Sequence, residues 1–180
     1  MRAQWTWLVN QQVTHLRAGA LASALFLTVS SATAQPVRTG TPAPEIDLPT
    51  LDGGRVLLSK LRGHPVVVTF WGTWCPPCRS EFPELIKAHQ AYSPEGLYVL
   101  GVNGRDQEFR TKDVQKFVNE FAVPFTIALD EKGKTREQFG LRLLPTTVFV
   151  DSGGVVRQVN MGPVDHDALA KGIAAIRLPR

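Results

Sequence analysis

The order of apolar segments predicts an α/β protein, with helices flanking one sheet that carries an antiparallel portion. Two observations support this. Apolar, β-branched runs alternate with helical stripes from Val66 onward, and a strand hairpin marked by Ser152-Gly153-Gly154 precedes a last helical stretch. The chain has 180 residues, 43% of them hydrophobic and 20% charged, which suits a single globular domain with a proper core.

Each element has its own signal. Residues 35–44, QPVRTGTPAP, are proline-rich and read as an irregular lead-in, with the fold proper expected over 45–180. In EIDLPTLDGGRVLLSKLRGH, Gly53-Gly54 separates two short extended stretches, which predicts a hairpin. Val66–Trp71, VVVTFW, is a continuous apolar run, the pattern of a strand buried on both faces. A helix follows to about Tyr92, with Phe82, Leu85, Ile86 and His89 at helical spacing.

GLYVLGV at 96–102 is the next buried strand, and Val114, Phe117, Val118 and Phe121 form a second helical stripe. FTIALD after Pro124 is a strand, followed by a short helical piece near Arg136–Phe139. Thr146–Asp151 and Val155–Met161 are the hairpin strands. Asp165 is placed to cap a final helix that carries Leu169, Ile173 and Ile176 on one face.

Residues 1–34 stand apart from this fold. Arg2 and Arg17 are their only charged side chains, Ala18–Val29 is apolar, and Ala32 and Ala34 frame an A-x-A site before Gln35. That combination describes a cleaved secretory signal peptide. A permanent anchor takes about 20 apolar residues, so an uncleaved anchor is the alternative. Without the leader, 18 basic residues face 16 acids, a net charge of +2 with no basic stripe. Nothing in that distribution points to nucleic acid.

The two cysteines, Cys75 and Cys78, are separated only by Pro76-Pro77. A disulfide across two residues closes too short a loop to staple a fold, so chemistry explains the pair better. An exported protein sits where disulfides persist. Haem attachment needs His after the second cysteine, and residue 79 is Arg. Structural zinc needs four ligands, and His64, His89 and His166 supply no second ligand pair, so these read as surface or packing residues and no metal is expected. Cys75 precedes the helix, where unpaired N–H groups and the helix dipole favour a thiolate; it is the nucleophile candidate. Cys78, one turn in, suits the resolving role.

FWGTWCPPC, the helix after it, and LLPTTVFVD some seventy residues on resemble the thioredoxin fold, and within it the TlpA/ResA/DsbE-type exported thiol–disulfide oxidoreductases. The resemblance covers residues 40–177, including the N-terminal hairpin and an added strand-bearing segment around 113–130. It rests on Trp74-Cys75-Pro76-Pro77-Cys78, Glu81, Pro83 and Leu144-Pro145-Thr146.

The resemblance implies a central mixed sheet flanked by helices and a redox-active Cys75–Cys78 disulfide with no cofactor. It implies a helix kinked at Pro83, with an end near Glu81 as the alternative. It also implies a cis bond before Pro145, with neighbouring backbone able to pair with an extended substrate. Thioredoxins carry a buried aspartate where this chain has Thr69, and relatives of the narrower type place a glutamate at the position of Glu81. A helix puts Glu81 on the side of Cys78. There, desolvation would raise its carboxyl pKa and suit it to proton exchange with the thiols; the plain alternative is an exposed acid near the helix start. Trp71 is expected in the core, and Trp74 either on the substrate surface or packed under its turn.

Function classes then separate. An exported dithiol reductant of protein disulfides is expected, since Pro76-Pro77 lacks the histidine that stabilises the thiolate in oxidising relatives. A net disulfide donor is the alternative of the same fold. A docking module or metallochaperone without turnover is the alternative of another class; both cysteines are present, and no Met-rich or His-rich tract supports copper carriage. By resemblance, substrates include apocytochrome c or copper-site proteins, and electrons come from a membrane thiol transporter.

Overall fold

A computed structural model describes residues 36–177; the leader features lie outside them, as does Gln35 at the start of the lead-in. A hairpin comes first, β1 (Asp47–Pro49) and β2 (Arg55–Leu57), paired antiparallel around the Gly53-Gly54 turn. The main sheet contains β3 (Val66–Trp71), β4 (Tyr98–Asn103), β5 (Thr126–Leu129), β6 (Thr146–Val150) and β7 (Val156–Met161). Its order is β5-β4-β3-β6-β7. β3, β4 and β5 run parallel, while β6 runs antiparallel to β3 and β7 to β6. The helices are α1 (Pro76–Tyr92), α2 (Thr111–Glu120), α3 (Lys134–Gln138) and α4 (His166–Arg177).

Strand alternation divides the core into two faces. From β3, Val67 and Trp71 join Phe82 and Leu85 of α1, Phe117 of α2, and Leu169 and Ile173 of α4. Val66, Val68 and Phe70 face the other way, onto Ile46, Val56, Leu58 and Phe139. All six residues of β3 are buried, as its unbroken apolar run predicts. Thr69, between Val67 and Trp71, therefore faces the helices. Helix α4 lies close against β6 at Gly172, where an added Cβ would come within 2.2 Å of the Phe149 ring.

The lead-in is irregular but held. Val37 donates to the Phe139 carbonyl, Gly40 to Val156 and Ala43 to Gly154, while Val156 donates back to Thr41. Pro42 bridges Val155, and Thr50 bridges Ala128 of β5. The N-terminal segment thus covers part of both outer strands, whose unpaired backbone would otherwise invite other chains.

α1 runs through Pro83 to Tyr92 with Pro83 on its exposed side. On its inner side Ala88 is buried and His89 only half-buried, because Phe82, Leu85 and Ala88 turn more squarely to the sheet. Asp165 caps α4 by accepting the Ala168 N–H at 2.8 Å. No described helix is long and apolar enough to cross a membrane.

Candidate active site around Cys75 and Cys78

The buried end of β3 delivers the cysteines. After Trp71 the chain turns, with the Cys75 N–H donating to the Gly72 carbonyl at 3.2 Å. Cys75 is extended (φ −94°, ψ 105°) and forms the N-cap of α1. Pro76 and Pro77 fill the first helical positions, where a backbone N–H has no partner within the helix anyway. The first N–H that α1 presents past them belongs to Cys78, and it donates to Cys75 Sγ at 3.2 Å. The sulfur thus replaces a side-chain oxygen as the cap, at the positive end of the helix dipole.

Cys75 and Cys78 are disulfide-bonded, with their Cα atoms 5.2 Å apart. Cys75 is 3% exposed and Cys78 fully buried. In this oxidised state even the first cysteine is more recessed than a freely reachable nucleophile. Trp71 packs behind the pair as core, its ring 4.7 Å from Phe82 and 4.6 Å from Phe117. Trp74 points outward and is about half exposed. Arg79, directly after Cys78, lies over the Phe117 and Phe121 rings and pairs with Glu120 at 2.6 Å, tying the start of α1 to α2.

Glu81 lies one turn beyond Cys78 and is completely buried. Burial pushes its carboxyl pKa up to about 7 against two hydrogen bonds that favour the charged form. Thr69 Oγ1 donates to Glu81 Oε1 at 2.8 Å, and the Val164 N–H donates to Oε2 at 3.1 Å. A carboxyl tuned close to neutrality and set in the same helix turn as Cys78 can accept or return a proton near pH 7. Thr69 does not replace the thioredoxin aspartate as an acid; it supports one supplied by α1. Across the sheet Thr69 pairs with Thr147, whose buried hydroxyl has no protein partner, so the carboxyl sits beside a small polar patch.

The peptide bond between Leu144 and Pro145 is cis. Pro145 is buried, and its carbonyl accepts the Gly162 N–H at 2.9 Å. Thr146 Oγ1 donates to the Leu143 carbonyl at 2.9 Å, which holds the bend before β6. Because Thr146 pairs with Phe70, this bend and the cysteine turn lie at the same end of the sheet.

A third acid belongs here that sequence reasoning passed over. Glu108 Oε1 accepts the Thr73 N–H at 2.6 Å and the Asn103 amide at 2.9 Å, and Oε2 accepts the Thr73 hydroxyl. Thr73 lies two residues before Cys75, so Glu108 clamps the turn that presents the nucleophile candidate. In GRDQEFR it reads as one charge among several on a solvated loop. Its one signal is its place just beyond the C-terminal end of a parallel strand, where α/β sheets gather functional groups.

Comparison with known proteins agrees with this geometry. The AhpC/TSA family model matches residues 39–159. The thiol–disulfide oxidoreductase ResA of Halalkalibacterium halodurans is 34% identical over 140 residues, 78% of each chain. The thioredoxin-like protein YneN of Bacillus subtilis is 33% identical over 126 residues, covering 70% of this chain and 73% of that one. A crystal structure assigned as a thiol:disulfide interchange protein DsbE from Chlorobium tepidum superposes with a TM-score of 0.71. It is 34% identical and covers 78% of this chain and 98% of its own. A secreted Mycobacterium tuberculosis disulfide oxidoreductase superposes at 0.64 with 25% identity, covering 72% and 95%. The chain belongs to the AhpC/TSA family of the thioredoxin fold, as a thiol–disulfide oxidoreductase of the ResA/DsbE type.

Proposed function

We propose that this enzyme is an exported dithiol reductant of protein disulfides, with Cys75 as nucleophile, Cys78 as resolving thiol and Glu81 as their proton partner. The observation that carries the reading is the position of Cys75 Sγ as the cap of α1, where it accepts the Cys78 N–H. In the reduced enzyme the same N–H and the helix dipole would stabilise a Cys75 thiolate.

That thiolate attacks one sulfur of the substrate disulfide, forming a mixed disulfide and releasing the first substrate thiolate. Cys78 gives its proton to the Glu81 carboxylate and attacks Cys75 Sγ, which releases the second substrate thiolate and closes the Cys75–Cys78 bond. Two electrons and the two thiol protons pass to the substrate in total.

Two features support the reducing direction. Pro76 and Pro77 place no cation beside the sulfur, so only the helix terminus stabilises its thiolate. The ionised form of buried Glu81 opposes negative charge one turn away, which disfavours the reduced, ionised state of the pair. Trp74 and the Leu144-Pro145-Thr146 bend are assigned to substrate support. Apocytochrome c and copper-site proteins are the candidate substrates, and a membrane thiol transporter the candidate electron source. The leader over 1–34 is assigned to export.

A Cys78→Ala variant tests the assignment. It should trap partner proteins as mixed disulfides on Cys75 that dissolve under reductant, whereas Cys75→Ala should trap none. Adducts on Cys78 in the Cys75→Ala variant, with none on Cys75 in the Cys78→Ala variant, would reverse the roles.

A further inference from the structure

Among the described residues, the exposed large hydrophobic side chains are Trp74, Phe109, Leu143 and Met161. They come from four separate stretches of sequence, yet the sheet brings them to one end. β3 and β4 are parallel and finish side by side at Trp71 and Asn103; Trp74 and Phe109 follow those two ends. β6 is antiparallel to β3, so it begins there, with Thr146 opposite Phe70 and Leu143 just before it. Met161 at the end of β7 lies opposite Thr146. Glu108, holding Thr73, fixes Phe109 and Trp74 to the two sides of one clamp. Single exposed hydrophobic residues are ordinary on a protein surface; their collection around one reactive group is not.

The charges at this end have a sign. Asp106 pairs with Arg136, Asp113 with Arg110 and Glu120 with Arg79, while Asp165 caps α4 and Glu108 is buried in its clamp. Arg142, exposed beside Leu143, has no ion pair among the described residues. The uncompensated charge next to the apolar rim is therefore positive. The sulfur it surrounds is only 3% exposed, so a narrow, extended chain reaches it more readily than a cysteine on a folded surface.

We propose that this rim selects its substrate: an extended polypeptide segment whose reacting cysteine is flanked by large apolar residues and an acidic one. The proposal rests on the dithiol reading above and adds the chemical class of partner to it. Trp74, Phe109, Leu143 and Met161 cover the apolar flanks, and Arg142 meets the acid.

The test is single-turnover reduction by the pre-reduced enzyme of three disulfides. One is a peptide–glutathione mixed disulfide with Phe, Leu and Asp beside the cysteine, and one is its counterpart with Ser, Gly and Lys. The third is bis(2-hydroxyethyl) disulfide, too small to use the rim. The first peptide should react about tenfold faster than the second, the discrimination an apolar site of this kind supplies. Phe109→Ser/Leu143→Ser should erase most of that preference and leave the small disulfide's rate unchanged. Arg142→Glu should favour the lysine peptide over an otherwise identical aspartate peptide. Equal rates for the two peptides, with the small disulfide still reduced, overturn the proposal alone. No reduction of any disulfide overturns the dithiol reading and the proposal with it. A dimer that Phe109→Ser/Leu143→Ser dissociates, without change in peptide rates, overturns it in favour of a second copy of this chain.

Discussion

Thr69 Oγ1 donates to Glu81 Oε1 at 2.8 Å, and both residues are fully buried. Strand β3 and helix α1 thereby share one titrating group next to the redox pair. Because the Thr69 hydrogen bond holds the Glu81 pKa down against burial, Thr69→Val should raise it above its value of about 7. Carbon-13 NMR titration of the Glu81 carboxyl in the oxidised protein measures the change. An unchanged or lower pKa would show that the hydroxyl does not support the charged form.

Glu81 also links stability to pH. Its pKa rises from an ordinary 4.5 to about 7 on folding, so the folded chain keeps a proton that the unfolded chain releases. The stability contributed by this group is fully present below about pH 4.5, declines as pH rises through about 7, and is level above that. Glu81→Gln should remove that slope in urea denaturation of the oxidised protein between these limits. It should also slow disulfide exchange and flatten its pH profile near neutrality. A slope the same in both proteins would contradict the assignment.

Glu108 makes a separate prediction about the turn. Glu108→Ala strands the Thr73 N–H and the Asn103 amide, each costing about 1–3 kcal/mol where it is cut off from water. Glu108→Gln keeps an acceptor oxygen for both and should stay close to the parent protein. Thermal unfolding of the oxidised variants, together with alkylation rates of reduced Cys75, separates the two substitutions. Equal behaviour of the Ala and Gln variants would remove the clamp from the account.

The leader is tested by the mass of the exported protein. Cleavage after Ala34 should yield a chain that starts at Gln35, with or without cyclisation to pyroglutamate. An intact N-terminus in the membrane fraction would favour the anchored alternative.

Much of the fold is written locally. The unbroken run Val66–Trp71, the Gly53-Gly54 turn and the Ser152–Gly154 turn each follow from a few adjacent residues, and they define β3 and both hairpins. Cys75 as a helix cap is local too, since two prolines after it suit only the start of a helix. What sequence order hides is partnership across the sheet. Thr69 looks like the loss of a carboxylate until β3 is seen against α1, where its hydroxyl meets Glu81. Glu108 reaches Thr73 across 35 residues of chain, and Phe109 beside it carries no periodicity that marks it as exposed. His89 has the spacing of a core residue, but a small change in helix rotation gives that place to Ala88.

The reducing direction is the central claim, and the redox potential of Cys75–Cys78 tests it most directly. Equilibrating the purified protein against glutathione buffers, and reading the dithiol fraction by thiol trapping, gives the value. The account predicts a potential nearer thioredoxin's roughly −270 mV than the roughly −120 mV of a strong oxidant. It also predicts a shift to a more oxidising value in Glu81→Gln, where the opposing negative charge is gone. A potential near the oxidising end, unaffected by Glu81→Gln, would contradict the claim and make the protein a disulfide donor.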